Sequence, residues 1–244
     1  MTNFELTYRR FSEDSILVEW PPEITKSIVY DVLSFKNMIL NYNIKGIIQI
    51  NNAYNSILVI YDFAIDKIND EISTLKSLYD TRVCINRPTF KLWRIPVCYD
   101  EEFGLDLDVV SKQNKLSKSE VVRLHYEPIY TIFFIGFLPG FLYLGGLDKR
   151  LHFPRRSKPR IRLKKGAVAI GGGQTGIYPN VSPGGWHIIG NSPIEFFKSA
   201  NENPCFAQAG DQVQFVPIPN SEYKVLVEQI KNGTYQLESE VFDG

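Results

Sequence analysis

The run Gly171-Gly172-Gly173-Gln174-Thr175-Gly176 matches the pattern G-x-G-x-x-G, and the residues after it decide what it can become. In a dinucleotide fold such a loop must open a helix. Here Ile177-Tyr178-Pro179-Asn180-Val181-Ser182-Pro183-Gly184-Gly185 follows. Pro179 and Pro183 each lack an amide donor and clash with a preceding helical turn, so no helix forms there. The dinucleotide fold is excluded, and no G-x-x-x-x-G-K-[ST] supplies a P-loop. The wider stretch Phe133–Trp186 combines glycine, proline and aromatic residues with little helical periodicity. Its glycine clusters, Gly136–Gly146, Gly171–Gly176 and Pro183–Gly185, imply tight loops on a β scaffold, where function tends to sit. Amides on a glycine loop can hold an anion or oxyanion. A tight corner that needs glycine and binds nothing is the competing reading.

The bulk properties narrow the function class. The chain has 244 residues, 27 basic and 27 acidic, and a formal charge of zero. General nucleic-acid binders are more basic. No apolar run approaches the roughly 20 residues of a membrane span, and Met1–Arg10 shows no secretory h-region, so a cytoplasmic protein is expected. Cys84, Cys98 and Cys205 form no C-x-x-C pair and read as buried thiols.

Residues 1–88 read as a small α+β domain of order ββαββα. Phe4–Tyr8 and Ile16–Trp20 predict strands around a Ser12–Asp14 turn. Ile24, Ile28, Val32, Phe35 and Ile39 share a helical face. Gly46–Ile50 and Ser56–Tyr61 predict strands joined at Asn51-Asn52, and Ile65, Ile68, Ile72, Leu75 and Tyr79 mark a second helix. The boundary is placed near Arg87-Pro88.

Residues 89–244 read as mainly β. Helices are expected over Leu107–Gln113 and from Ser117, where Ser117-Lys118-Ser119-Glu120 is a capping box. His125 shares a face with Val121 and Leu124, either as a hydrogen-bonded core histidine or beside a cleft. Short strands over Thr131–Ile135, Ile161–Leu163, Ala167–Ile170, His187–Ile189 and Gln212–Pro217 predict a barrel or sandwich. A weak helix over Glu222–Gly233 and an acidic tail close the chain.

Asp148–Lys165 holds nine of the 27 basic residues. Beside a glycine loop, such charge suits carboxylate or phosphate recognition, with arginine favoured for its bidentate fork. Arg155 and Arg160, each next to proline, are the candidates for fixed positions; a solvated basic face is the alternative. Ser182-Pro183-Gly184-Gly185-Trp186 predicts a type II turn. Ser182 and His187 lack the elbow spacing and an acid partner of a serine hydrolase. Three histidines without H-E-x-x-H argue against a metal held by this chain alone.

At Ile135–Asp148, Pro154-Arg155-Arg156, Pro159-Arg160, Gly172–Pro179, Ser182–Trp186 and Gly210-Asp211 the sequence resembles the family of 5-oxoprolinase B subunits. That family is also labelled kinase A inhibitor (KipI) and allophanate hydrolase subunit 1. The resemblance covers essentially the whole chain. Departures are local: Asp100-Glu101 replace the family's Gly-Gly, and Lys164-Lys165-Gly166 replace Pro-Ala-Gly. The resemblance implies an α+β (ferredoxin-like) domain over 1–88 and a cyclophilin-like β-barrel over 89–244. It implies one component, inactive alone, of an ATP-dependent hydrolase that opens 5-oxoproline to glutamate together with the C and A subunits of 5-oxoprolinase. ATP, with Mg, is expected at a site shared with a partner. Related folds imply two alternatives: a carboxyltransferase-like component of biotin-dependent urea carboxylase, or an inhibitor docking on a sensor histidine kinase through Phe137, Leu138 and Phe141. A homo-oligomer is also allowed for; nucleic acid and membrane are not expected partners. The candidate catalytic residues are Gln174, Tyr178 and His125. The candidate substrate-binding residues are Gly136, Phe137, Pro139, Gly140, Arg155, Arg160, Gly172, Gly173, Thr175, Pro183, Gly184 and Trp186.

Overall fold

The structure is a computed structural model that describes residues 4–81 and 89–243. It divides into two compact units, Met1–Pro88 and Thr89–Gly244. The expected boundary near Arg87-Pro88, with Cys84, lies outside the described residues. Among the described residues, no helix is long and apolar enough to cross a membrane.

The first unit runs β1 (Thr7–Ser12), β2 (Ser15–Glu19), α1 (Lys26–Tyr42), β3 (Ile47–Asn52), β4 (Ser56–Tyr61) and α2 (Ile68–Asp80). Its four strands form an antiparallel sheet of order β1-β2-β4-β3. Ile28, Val32, Phe35 and Ile39 of α1 pack against Ile16, Val18, Ile57 and Val59. Thr25 caps α1, so Ile24 falls before the helix and stays exposed instead of joining its apolar face. The ferredoxin-like order β-α-β-β-α-β is met only as a permutation, with one strand moved to the start. Two expected strands shift. β1 begins at Thr7, not Phe4, because its register pairs Thr7 with Glu19. β3 continues through Asn51-Asn52, and the chain turns at Ala53, whose amide reaches the Ser56 carbonyl at 2.9 Å.

The second unit runs β5 (Thr89–Val97), α3 (Leu107–Asn114), α4 (Lys118–Tyr126), β6 (Ile129–Ile135), β7 (Leu142–Gly145), a 3-10 turn at Lys149–Leu151, β8 (Arg160–Leu163), β9 (Ala167–Gly171), β10 (Gln174–Ile177), β11 (Ser182–Gly184), β12 (His187–Asn191), β13 (Gln212–Pro217), α5 (Asn220–Lys231) and β14 (Ser239–Asp243). Eight strands form one sheet of order β12-β9-β10-β7-β6-β13-β5-β14, and β8 with β11 forms a separate ribbon. The expected closed barrel is not found among the described residues. The chain after β5 meets β12 through a single bridge, Cys98 to Asn191, and β14 extends the sheet beyond β5. The acidic tail is therefore partly a strand.

Alternation along β9 and β10 sets up the site. Val168, Ile170 and Ile177 enter the main core with Ile95, Leu144 and Phe215. The other face carries Ala167, Ala169, Gly171 and Gly176, small residues over which Phe141, Tyr178 and Trp186 pack. The glycine run is a hairpin. Gly171 pairs with Gln174, leaving Gly172-Gly173 as a two-residue turn with φ 66° at Gly172, the II′ pattern. Gly172 also exchanges both backbone hydrogen bonds with Phe153, at 2.6 and 2.9 Å. Of the two alternatives for this run, the paired Gly172 amide favours the tight corner. Ser182–Gly184 is likewise strand, paired to β8, and not a type II turn: Gly184 lacks the positive φ that turn needs. The capping box forms as the sequence dictates, with Ser117 Oγ accepting from the Glu120 amide at 3.2 Å. Asp211 is buried and accepts from the Lys91 and Gln208 amides and the Trp93 indole, so the Gly210-Asp211 motif serves the fold.

Candidate functional site

The aromatic layer on the small-residue face of β9–β10 encloses a pocket of about 220 Å³. Its lining includes Phe137, Phe141, Tyr143, Arg155, Tyr178 and Trp186, with Arg156, Pro159, Gly184 and Gly185 completing the wall. Trp186 is held by what lies beneath it. A Cβ on Gly171 would stand 2.4 Å from the indole, and one on Gly176 would stand 3.2 Å from it. Glycine at both positions is what lets the ring lie flat on the sheet. Phe141 meets Trp186 and Tyr178 edge-to-face at 5.7 and 5.4 Å, the favoured geometry for aromatic quadrupoles.

Charge enters from one side. The Arg155 guanidinium lies over Trp186, 5.7 Å from the ring centroid, and among the described residues it forms no ion pair. Burial raises the Tyr178 hydroxyl above its ordinary range, countered in part by a backbone hydrogen bond at Trp186 and by Arg155. Burial also raises Tyr143, again countered by Arg155. Both phenols are therefore protonated donors near neutrality. The lining offers two guanidinium groups, Arg155 and the Asp106-paired Arg156, two hydroxyl donors and an apolar floor, but no carboxylate, histidine or thiol. Such a set can bind a small anion and polarise a carbonyl.

The neighbouring arginines have a different task. Arg160 donates to Asp106 through Nη1–Oδ2 at 2.7 Å and Nη2–Oδ1 at 2.8 Å, and Arg156 adds Nη1–Oδ1 at 3.1 Å. The Ile188 amide donates to the same carboxylate at 2.7 Å. Burial alone would raise Asp106. The Arg160 and Ile188 hydrogen bonds and both guanidinium charges override it and hold the carboxyl below its usual range. Arg160 is thus a strut that ties the basic run to the Gly104–Asp106 loop, and it is not among the residues lining the pocket.

His125 and Thr175 are buried and lie outside the pocket lining. His125 is fully buried, with Nδ1 2.7 Å from Tyr99 Oη, Nε2 2.7 Å from Thr175 Oγ1, and its ring stacked on Phe215 at 4.6 Å. Burial pushes it down to about 3. Thr175 further donates to the Ala169 carbonyl at 3.0 Å. Both belong to the core face of the sheet. Gly172 and Gly173 form the hairpin turn beside Phe153 and His152, outside the pocket lining. Gln174, opposite Gly171 in the ladder, is also outside it. Gly136, Pro139 and Gly140 shape the loop that carries Phe137 without lining the pocket. Pro183 is exposed on β11. Ser182 Oγ and His187 Nδ1 are buried without a hydrogen bond to each other, so no nucleophile–base pair exists there.

Of the sequence candidates, the fold brings together Phe137, Arg155, Tyr178, Gly184 and Trp186. It adds Tyr143, Phe141 and Arg156 to the site and Asp106 to its support. Tyr143 alternates with the buried Leu142 and Leu144 of β7, so a strand assignment there would have found it. Asp106 carries no local signal, because its partners lie about fifty residues away in sequence.

Comparison with known proteins gives a consistent outcome. Residues 6–207 match the family model described as carboxyltransferase domain, subdomain C and D. The chain is 34% identical over 233 residues to the B subunit of 5-oxoprolinase from Bacillus subtilis (strain 168), covering 90% of this chain and 96% of that protein. It is 35% identical over 205 residues to the B subunit of 5-oxoprolinase from Haemophilus influenzae, covering 84% and 94%. In fold it is similar to the crystal structure of Kluyveromyces lactis urea carboxylase, with a TM-score of 0.82 at 21% identity. That likeness covers 98% of this chain and 24% of the urea carboxylase, so the chain spans about a quarter of that protein's length.

Proposed function

Because the chain belongs to the family of 5-oxoprolinase B subunits, within the carboxyltransferase (subdomain C and D) domains, we propose that it is the B component of a complex that opens the ring of 5-oxoproline to give glutamate. The observation that carries the reading is Arg155 over Trp186 at the mouth of a small aromatic pocket. 5-Oxoproline is a small ring with one carboxylate and one amide carbonyl. The carboxylate suits the guanidinium, the ring suits the apolar floor, and the carbonyl suits a phenol donor. Tyr178 and Tyr143 are those donors.

The lining has no base and no nucleophile, which supports a division of labour. Companion proteins, the C and A components in this reading, supply the activating groups. ATP with Mg belongs to the same proposal. The pocket of about 220 Å³ is smaller than the roughly 300–1,000 Å³ of sites for drug-sized ligands. It does not fit ATP, and the hairpin at Gly172-Gly173 opens onto no helix. In this reading the nucleotide sits at a surface shared with a companion protein.

A second reading is carboxyl transfer, favoured by the description of the matching family and by the fold likeness to urea carboxylase. The same Arg155 would then hold a carboxylated or carboxylate-bearing acceptor. One experiment separates the two: the chain is purified with its C and A companions and given 5-oxoproline and ATP. Glutamate release without biotin or bicarbonate is the expected result. No release from an intact three-part complex would overturn the ring-opening reading.

A further inference from the structure

Among the described residues, three that are not glycine have positive φ: Asn43, Lys115 and Phe137. The first two cap helices and need no other explanation. Phe137 caps nothing. The Leu138 amide donates to the Gly136 carbonyl at 2.8 Å, closing a three-residue turn with φ 66° at Phe137. This is the strained form of the γ-turn. The Phe141 amide then donates to Leu138 at 3.0 Å, with Pro139 second and Gly140, φ 83°, third, a type II turn. Two consecutive turns hold a phenyl ring that is 65% exposed. Among the described residues its one aromatic contact is with Phe141, edge-to-face at 5.8 Å. A bulky side chain in strained backbone persists where something outside the local fold requires it.

The surface next to it is an open strand edge. Pro159, Gly184 and Gly185 line the same pocket as Phe137 and lead directly into the β8–β11 ribbon. Among the described residues β8 pairs only with β11. Ile161 on β8 is 91% exposed. Lys158, Arg162 and Lys164 are exposed, and among the described residues they form no ion pair. Charges on an edge strand discourage pairing with a like-charged strand. Pairing of β8 with the same strand of a second copy is therefore disfavoured, and an acidic surface is attracted.

We propose that the Phe137 lip and the β8 edge form a docking surface for an acidic-faced companion protein, with Phe137 as the buried anchor and the companion closing the pocket mouth. Naming that companion as the C component rests on the function proposed above. The test is titration calorimetry of the purified C component against wild type, Phe137→Gly, and the double variant Arg162→Glu/Lys164→Glu. Phe137→Gly removes the strain, so its melting temperature should be no lower than wild type. Its affinity should fall about 30-fold or more, the threshold of an interface hot spot. The charge reversal should weaken binding and reduce its salt dependence. Wild-type affinity in Phe137→Gly would overturn the proposal, as would absence of wild-type binding, or self-association through this face in sedimentation. If the complex forms and Phe137→Gly breaks it, but wild type releases no glutamate, the docking surface stands and the ring-opening reading falls.

Discussion

Asp106 and Arg160 join through two hydrogen bonds of 2.7 and 2.8 Å, on a carboxylate that is only 2% exposed. The arrangement separates two arginines that look alike in sequence, since Arg155 faces the pocket and Arg160 faces the loop behind it. Replacing Asp106 with Asn should leave two guanidinium groups poorly compensated. We expect a loss of about 3 kcal/mol in the second unit, the lower end for one broken partner of a buried pair. Arg160→Gln should cost less, about 1–2 kcal/mol, because Arg156 and the Ile188 amide remain on the carboxylate. Urea unfolding measures both. Equal stability of Asp106→Asn and wild type would contradict the strut.

His125 gives the second unit an acid-sensitive core. Burial lowers it to about 3, against an ordinary value of 6.5. A lowered histidine folds neutral while the unfolded chain takes up a proton. Its contribution is complete above pH 6.5 and is lost as pH falls from there toward about 3. The slope from this group is about 1.4 kcal/mol per pH unit. Asp106, also lowered, adds a further loss only below its ordinary value of 3.8. His125→Gln should flatten the dependence of the urea midpoint between pH 6 and 4. An unchanged slope in that variant would assign the acid sensitivity to other groups.

The glycine bed beneath Trp186 makes a contrast testable by spectroscopy. Gly171→Ala places a Cβ 2.4 Å from the indole, so the ring must move. Overpacking of this kind costs about 1–3 kcal/mol, and the near-ultraviolet dichroism of Trp186 should change with it. A Cβ at Gly172 meets nothing within 4 Å, although φ is 66°. Gly172→Ala should cost about 1 kcal/mol through backbone strain alone and leave the tryptophan signal unchanged. The reverse pattern would mean that the hairpin turn, and not the bed, positions the ring.

What the sequence disclosed follows from the range of each interaction. The helices were readable because spacing and caps are local: Ile28 to Ile39 and the Ser117–Glu120 box lie within one element. The exclusion of a dinucleotide loop was equally local, resting on Pro179 and Pro183. Strands β7, β10, β11 and β14 were not readable. Leu142–Gly145 is too short to show alternation, and Gln174–Ile177 hides in a glycine run. The site was half legible. Arg155, Tyr178 and Trp186 stand in unusual glycine- and proline-rich surroundings that flag them. His125 and Thr175 come from flagged segments too, yet alternation turns Thr175 to the core face and helical phase turns His125 toward it. Asp106 decides which arginine is free, and only the folded chain brings it to the basic run.

Arg155 is the group proposed to hold the substrate carboxylate, so the decisive measurement is kcat/KM for 5-oxoproline in the three-part complex with Arg155→Met in this chain. A hydrogen bond to a charged group contributes about 1.5–3 kcal/mol. The kcat/KM should therefore fall about 10- to 150-fold and recover in part in Arg155→Lys, with melting temperatures equal to wild type. A complex that assembles with Arg155→Met and turns over 5-oxoproline at the wild-type kcat/KM would contradict this role of Arg155.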